Sequence, residues 1–154
     1  MNIAIIATGK CRDKNFISIY NEFIKRLQPH FPTKIIEVHA GKGQGEELKS
    51  QEAQQQLSKV PDGAWIIALD ERGKSPNTLE LAEMVRQQRD QGRSEICIII
   101  GGAEGLAEEV RQRADLVLSL SQLTFPHMLV RPIICEQLYR VATVLSGHPY
   151  HREG

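Results

Sequence analysis

A chain of 154 residues with 19 basic and 19 acidic side chains and a pI of about 7.0 has room for one core and no bulk charge with which to coat nucleic acid. The longest apolar run, Ala64–Leu69, falls far short of a membrane span, and Met1–Ala7 has neither the basic start nor the length of a leader. Three cysteines without CxxC spacing (Cys11, Cys97, Cys135) suit a reducing cytosol, so the expectation is a cytoplasmic protein with no membrane and no metal.

Ile3–Ala7 reads as a first strand, broken by Thr8-Gly9-Lys10. Phe16, Ile19, Tyr20, Phe23, Ile24 and Leu27 recur at three and four, an amphipathic helix that Pro29 and Pro32 stop. Lys34–Val38 is a second strand, followed by the flexible, basic loop Gly41–Gly45. From Glu46 to Lys59 the chain is polar, with Leu48, Leu57 and Val60 as its few apolar anchors. That composition predicts a helix only weakly docked on a sheet. Ala64–Leu69 is a third strand and Asp70–Lys74 a charged turn.

Ser75-Pro76-Asn77-Thr78 opens the next helix with a polar cap; Leu79, Ala82, Met84 and Val85 form its inner face, and Gly92 its C′ residue. Ile96–Ile100 is a fourth strand that empties into Gly101–Gly105, and Leu106 and Val110 point inward from a short helix. Leu116–Leu120 is a fifth strand leading into Ser121–His127. A last helix runs from about Met128 to Leu145 with Ile134, Leu138, Val141, Ala142 and Leu145 at helical spacing; Pro132 is expected in its first turn, where a missing N–H costs nothing. Five strands alternating with five helices predict an α/β fold, a mostly parallel sheet with helices on both faces, and residues 1–154 as one domain.

Open sheets of this kind bind ligands just past the carboxyl ends of their strands. Gly101–Gly105 and Ser121–His127 should therefore lie side by side at one rim. The glycine loop serves equally as a phosphate cradle or a plain tight turn, since it lacks GxGxxG and P-loop spacing and carries Glu104. Ser119–Thr124 followed by Phe-Pro-His gives a loop rich in hydroxyls and free main-chain groups, or simply a cap for the last helix. In the tail, Tyr150, His151 and Arg152 combine groups that stack on a base and contact a phosphate, at a place where chains are usually disordered. His148 and His151 have no partners at metal-ligand spacing, and no nucleophilic triad is legible.

Six segments, Ile67–Lys74, Ile100–Leu106, Leu118–His127, Val130-Arg131, Glu136–Arg140 and His148–Arg152, together resemble the ribosomal RNA large subunit methyltransferase H family, small members of the SPOUT class of S-adenosyl-L-methionine-dependent RNA methyltransferases. The resemblance covers essentially the whole chain, in order. It implies a SPOUT-like α/β knot, with a C-terminal trefoil knot that pattern alone would not suggest, and a homodimer acting on the assembled ribosome. It implies that the methyl donor is held by Leu69, Gly101, Gly102, Leu120, Ser121, Gln122, Leu123, Thr124 and Phe125, and that N3 of a pseudouridine in helix 69 of 23S rRNA is methylated. Candidate catalytic residues on this footing are His151 for the proton or the base edge, Tyr150 to stack or hydrogen-bond, and Arg140 to steady charge. The proton acceptor stays open. Lys10, Arg12, Lys14, Lys42 and Arg152 are candidate phosphate contacts, and Pro132 departs from the aliphatic residue expected in relatives. The rival readings are a nucleotide-binding α/β enzyme using Gly101–Gly105 for phosphates, and a ribosome-associated module without catalysis.

Overall fold

The structure, a computed structural model, describes residues 1–152; the last two residues of the tail, Glu153 and Gly154, lie outside it. Ten elements alternate in the chain: β1 (Asn2–Thr8), α1 (Lys14–Leu27), β2 (Thr33–Val38), α2 (Gly45–Ser58), β3 (Trp65–Lys74), α3 (Thr78–Asp90), β4 (Glu95–Ile100), α4 (Glu108–Arg113), β5 (Leu116–Leu118) and α5 (His127–Ser146). The five strands form one sheet in the order β2-β1-β4-β3-β5, every neighbouring pair parallel. Strands buried on both faces need apolar side chains at every position. Ile98 and Ile100 accordingly enter a core shared with Tyr20, Leu27, Leu81 and Ile134, while Cys97 and Ile99 enter a second one with Ala53, Leu106 and Val110. Helices α1, α3 and α5 cover the first face; α2 and α4 cover the other.

Several local expectations change in the folded chain. Asp70–Lys74 is not a free turn but the continuation of β3: Leu118 pairs with both Leu69 and Lys74, and the Ser119 amide donates to the Lys74 carbonyl at 2.7 Å. The bend 69–74 thus embraces the chain as it leaves β5, in agreement with the threaded arrangement the resemblance implies. A Cβ on Gly73 would run into the Val117 carbonyl, so the embrace requires glycine there. β5 ends at Leu118 instead of Leu120, because the next residues turn away into the loop. Leu79 and Ile19 are exposed and Leu81 takes the inward position on α3, which begins at an Asn77–Glu80 capping box. Leu106 is buried ahead of α4 rather than on it. α5 starts at His127, so Pro132 sits in its second turn, and the Met128 carbonyl has no i+4 amide to accept from.

Helix α2 is docked, and its apolar anchors supply only part of the hold: Leu57, with Val60 just beyond the helix, packs partly buried against the second core. Its buried residues are Glu52, Ala53 and Gln56, and Gln56 Nε2 donates to Thr8 Oγ1 at 2.8 Å. A polar helix is held by polar partners from β1.

On the opposite face the largest fully buried side chain is Arg131 of α5. Its Nη1 meets Glu37 Oε2 at 2.6 Å, and its Nη2 donates to the carbonyls of Thr8 at 3.0 Å and Gly9 at 2.6 Å. Arg131→Met strands two carbonyls and a carboxylate. Because Glu37 keeps some access to water, the expected loss is about 3 kcal/mol, the lower end of the range for breaking buried pairs, read from urea unfolding midpoints.

Candidate functional site

The bend 69–74 within β3 and the loops following β4 and β5 meet at the carboxyl rim of the sheet and enclose a cavity of about 840 Å³. Its floor is apolar, from Leu69, Ile100, Leu106, Leu118, Leu120 and Val130; its walls are Asp70–Arg72, Gly101–Gly105 and Ser121–His127, with Lys49 of α2 at one side. The two loops expected to be neighbours are brought together here. Of the nine residues expected to hold the methyl donor, eight line the cavity: Leu69, Gly101, Gly102, Leu120, Ser121, Leu123, Thr124 and Phe125. Gln122 does not line it, although it belongs to the same loop.

Each wall is fixed by bonds that leave main-chain groups free. In the loop after β5, Ser119 Oγ donates to the Ser121 carbonyl at 2.8 Å, and Ser121 Oγ accepts from the Leu123 amide at 3.0 Å. Among the described residues, the amides of Leu120, Gln122 and Phe125 make no hydrogen bond within the chain. Thr124 Oγ1 donates to Glu71 Oε2 at 2.8 Å, tying this loop to the bend within β3. Asp70 is pinned by Arg72, with Arg111 at 3.3 Å on its other side; the hydrogen bond from Arg72 above all, outweighing burial, holds its carboxyl below the usual range.

The glycine loop is anchored from beneath by α2. Gln44 provides no side-chain cap, and the Glu104 carboxylate instead accepts from the Gly45 amide at 3.3 Å, at the positive end of the helix dipole. Glu52, 2% exposed, packs its carboxyl directly under Gly102: a Cβ there would lie 2.8 Å from Glu52 Oε2. Burial pushes the Glu52 carboxyl up from its ordinary value, with the charge of Glu104 adding to the effect and the Gly41 amide opposing it. No sequence signal marked this residue, since a Glu in a Gln-rich helix reads as solvated until the glycine loop is seen lying on it. The bond from Thr124 to Glu71 and the capping role of Glu104 were equally invisible, for each joins residues more than fifty positions apart.

His127 also lines the cavity, at the first turn of α5. Burial, and then the neighbouring Arg131 cation, lower its pKa and keep the imidazole neutral.

His151, Tyr150 and Arg140 come together, but away from the cavity. Arg140 pairs with Glu136 at 2.6 Å and lies 4.9 Å from the Tyr150 ring centroid, and Tyr150 donates to Glu136 at 3.1 Å. Tyr150 packs edge-on against Tyr139 at 4.8 Å, so the tail is docked on its own helix through Tyr150. Arg140 Nη1 stands 3.2 Å from His151 Nδ1. Because a guanidinium can only donate, Nδ1 is the acceptor there. Arg140 is ten residues beyond Val130, about 15 Å along the helix axis from the cavity wall. The thiols of Cys97 and Cys135 are pushed up to about 12 by burial, which makes them inert packing groups. Among the described residues no cluster of three or more metal-ligating side chains forms.

A family profile described as Predicted SPOUT methyltransferase matches residues 1–151. Among curated relatives, proteins named ribosomal RNA large subunit methyltransferase H from Rhodospirillum centenum and Paramagnetospirillum magneticum are 45% and 40% identical, each over 99% of both chains. Among solved structures, a probable methylase family protein from Haemophilus influenzae superposes with a TM-score of 0.58 over 99% of this chain and 71% of its own, and a tRNA (m1G37) methyltransferase from Aquifex aeolicus with 0.56 over 100% and 76%. At 15% identity these two speak to the fold alone.

The position of Glu52 has a measurable consequence. With a raised pKa, the folded chain retains a proton that the unfolded chain releases as pH climbs above the ordinary carboxylate value, so this group's contribution to stability falls across that window and then levels off. Glu52→Gln, the same shape without the proton, should remove that fall: wild-type melting temperature should drop relative to the variant as pH is raised from about 4.5.

Proposed function

The chain belongs to the SPOUT methyltransferase family, and on that footing we propose that it methylates 23S rRNA of the assembled ribosome at N3 of a pseudouridine in helix 69, with S-adenosyl-L-methionine as donor. The observation that carries this reading is the cavity framed by the β3 bend and two strand-end loops, in a chain that matches the family over residues 1–151.

The residues present fit the donor. An apolar floor suits a purine, free amides along Leu120–Phe125 suit its polar edge, and Gly102 allows the backbone to approach where any side chain would collide with Glu52. Asp70, Glu71 and Glu104 stand against Lys49 and Arg72 in the lining, with Asp70 already paired to Arg72, so the walls carry no excess of positive charge for a triphosphate, which weighs against a nucleotide-phosphate site. When bound, the sulfonium supplies an electrophilic methyl group for an in-line displacement. The chain's own tasks are to align the acceptor nitrogen, exclude water, and stabilise the base as its N3 proton leaves.

His151, Tyr150 and Arg140 remain our choice for handling the base. Since they stand about 15 Å along α5 from the cavity of their own protomer, the reading places them in the active site of a second protomer of a homodimer. Nδ1 is engaged by Arg140 and Nε2 is buried without a partner, so His151 reaches the base edge through Nε2 only once docking shifts the tail, a contact that steers and polarises; the proton acceptor is then another group or water. Near-zero net charge fits a protein that docks on a large preformed surface, with Lys10, Arg12, Lys14, Lys42 and Arg152 as phosphate contacts.

Purified protein incubated with ribosomes and methyl-labelled donor should transfer label to one nucleotide of 23S rRNA, located by mass spectrometry. A protein that binds ribosomes and transfers none would be a docking module. His151→Ala should lower turnover by about 10²-fold while the donor's dissociation constant, from calorimetry, stays within about threefold, a shift of under 1 kcal/mol.

A further inference from the structure

Two buried polar atoms on one face of α5 have no hydrogen-bond partner: His127 Nδ1 and Arg131 Nε. Four residues apart, they are neighbours on the helix surface, and the Arg131 charge bears directly on His127. They are also complementary. Arg131 Nε is always an N–H donor, and its Nη1 and Nη2 are already spent on Glu37, Thr8 and Gly9. No carbonyl or carboxylate lies within bonding distance of His127 Nδ1, so a proton on that nitrogen would be sealed in without an acceptor and would face a cation. The two atoms make no bond to each other, so a lone pair on Nδ1 is favoured by the field of the Arg131 cation and by its Nε–H acting through one enclosed water. With Nδ1 as the acceptor, the single proton of the neutral ring sits on Nε2, the nitrogen left for the cavity that His127 lines.

We propose that Arg131 locks His127 in the Nε2–H tautomer, and that Nε2–H donates a hydrogen bond to a carbonyl oxygen of the nucleobase being methylated. A proton lost from a ring nitrogen flanked by two carbonyls leaves negative charge spread over those oxygens. A neutral donor backed by a wholly buried cation stabilises such charge without itself losing a proton, which is what a site for a developing oxyanion requires. His127 is then a catalytic residue and Arg131 a positioning residue acting through it. The inference rests on the reading of the cavity as the methyl-transfer site.

The tautomer is tested first, without turnover. In protein labelled with ¹⁵N-histidine, the ring signals that vanish in His127→Gln should show a protonated Nε2 and an unprotonated Nδ1; the opposite pattern, or an imidazolium at neutral pH, overturns the proposal. Function is tested with His127→Gln, whose amide reaches the Nε2 position, and His127→Ala, both first shown to melt within a few degrees of wild type. His127→Ala should lower kcat on ribosomes by about 10- to 100-fold with donor affinity unchanged, and His127→Gln should recover most of the loss. Equal rates for Ala and wild type, or a loss confined to donor affinity, overturn the assignment to the base. Wild-type protein that takes up no S-adenosyl-L-methionine would instead sink the reading of the cavity, a result separable from all of these.

Discussion

One guanidinium joins the parts of this protein that must not move. Arg131 has no accessible surface, and burying such a charge costs several kcal/mol unless its donors are met. The terminal nitrogens are met by Glu37 at the end of β2 and by the carbonyls of Thr8 and Gly9, where β1 gives way to the loop before α1, while Nε has no partner. The same Glu37 oxygen accepts from the Cys11 amide at 2.7 Å. Two strand ends, one loop and the first turns of α5 are therefore tied at a single point. Since α5 begins where the loop after β5 ends, the anchor also fixes where that wall of the cavity stands. The missing Pro132 amide falls beside the anchor, so the helix is held there by tertiary bonds where its own ladder is interrupted.

The rest of the rim follows the same logic, in which polar contacts position loops and apolar contacts hold the sheet. β3 and β4 are packed on both faces and are rigid, but the loops they release carry little apolar surface. Their places are set by Glu71 on Thr124, Glu104 on the α2 N-terminus and Glu52 beneath Gly102. α2 reciprocates: with almost no apolar stripe, it is held by the glycine loop and by Thr8 as much as it holds them. A site built this way keeps main-chain donors in place without spending side chains on the ligand, which suits a donor recognised largely through its backbone-facing edge.

The cluster of Glu136, Arg140, Tyr150 and His151 is a second preassembled unit. It forms on its own helix, away from the cavity of the same chain, and is already ordered within a single copy. The tail, expected from its position to be loose, is docked by Tyr150 against Tyr139 because an aromatic face and a paired carboxylate are available within one turn of helix.

Local pattern carries the repeating elements, because an isoleucine-rich run can satisfy itself only inside a sheet and an apolar stripe at three and four only against one. Ile96–Ile100 and the inner face of α5 were legible for that reason, as was the meeting of the glycine loop with Ser121–His127, since parallel strands release their loops at one rim. The six ordered motifs added the donor loops and the tail residues, which residue chemistry by itself left open between a cap, a turn and a site. What depended on partners distant in the chain was decided by the tertiary structure. Asp70–Lys74 became strand only because Leu118 lies against it, α2 docked through Glu52 and Gln56 only because Thr8 and Gly102 are there to meet them, and Arg131, marked in the sequence only as part of a motif, is buried because the ends of β1 and β2 surround it. Periodicity reports which face of an element is apolar, whereas the worth of a buried polar group is fixed by what stands opposite it.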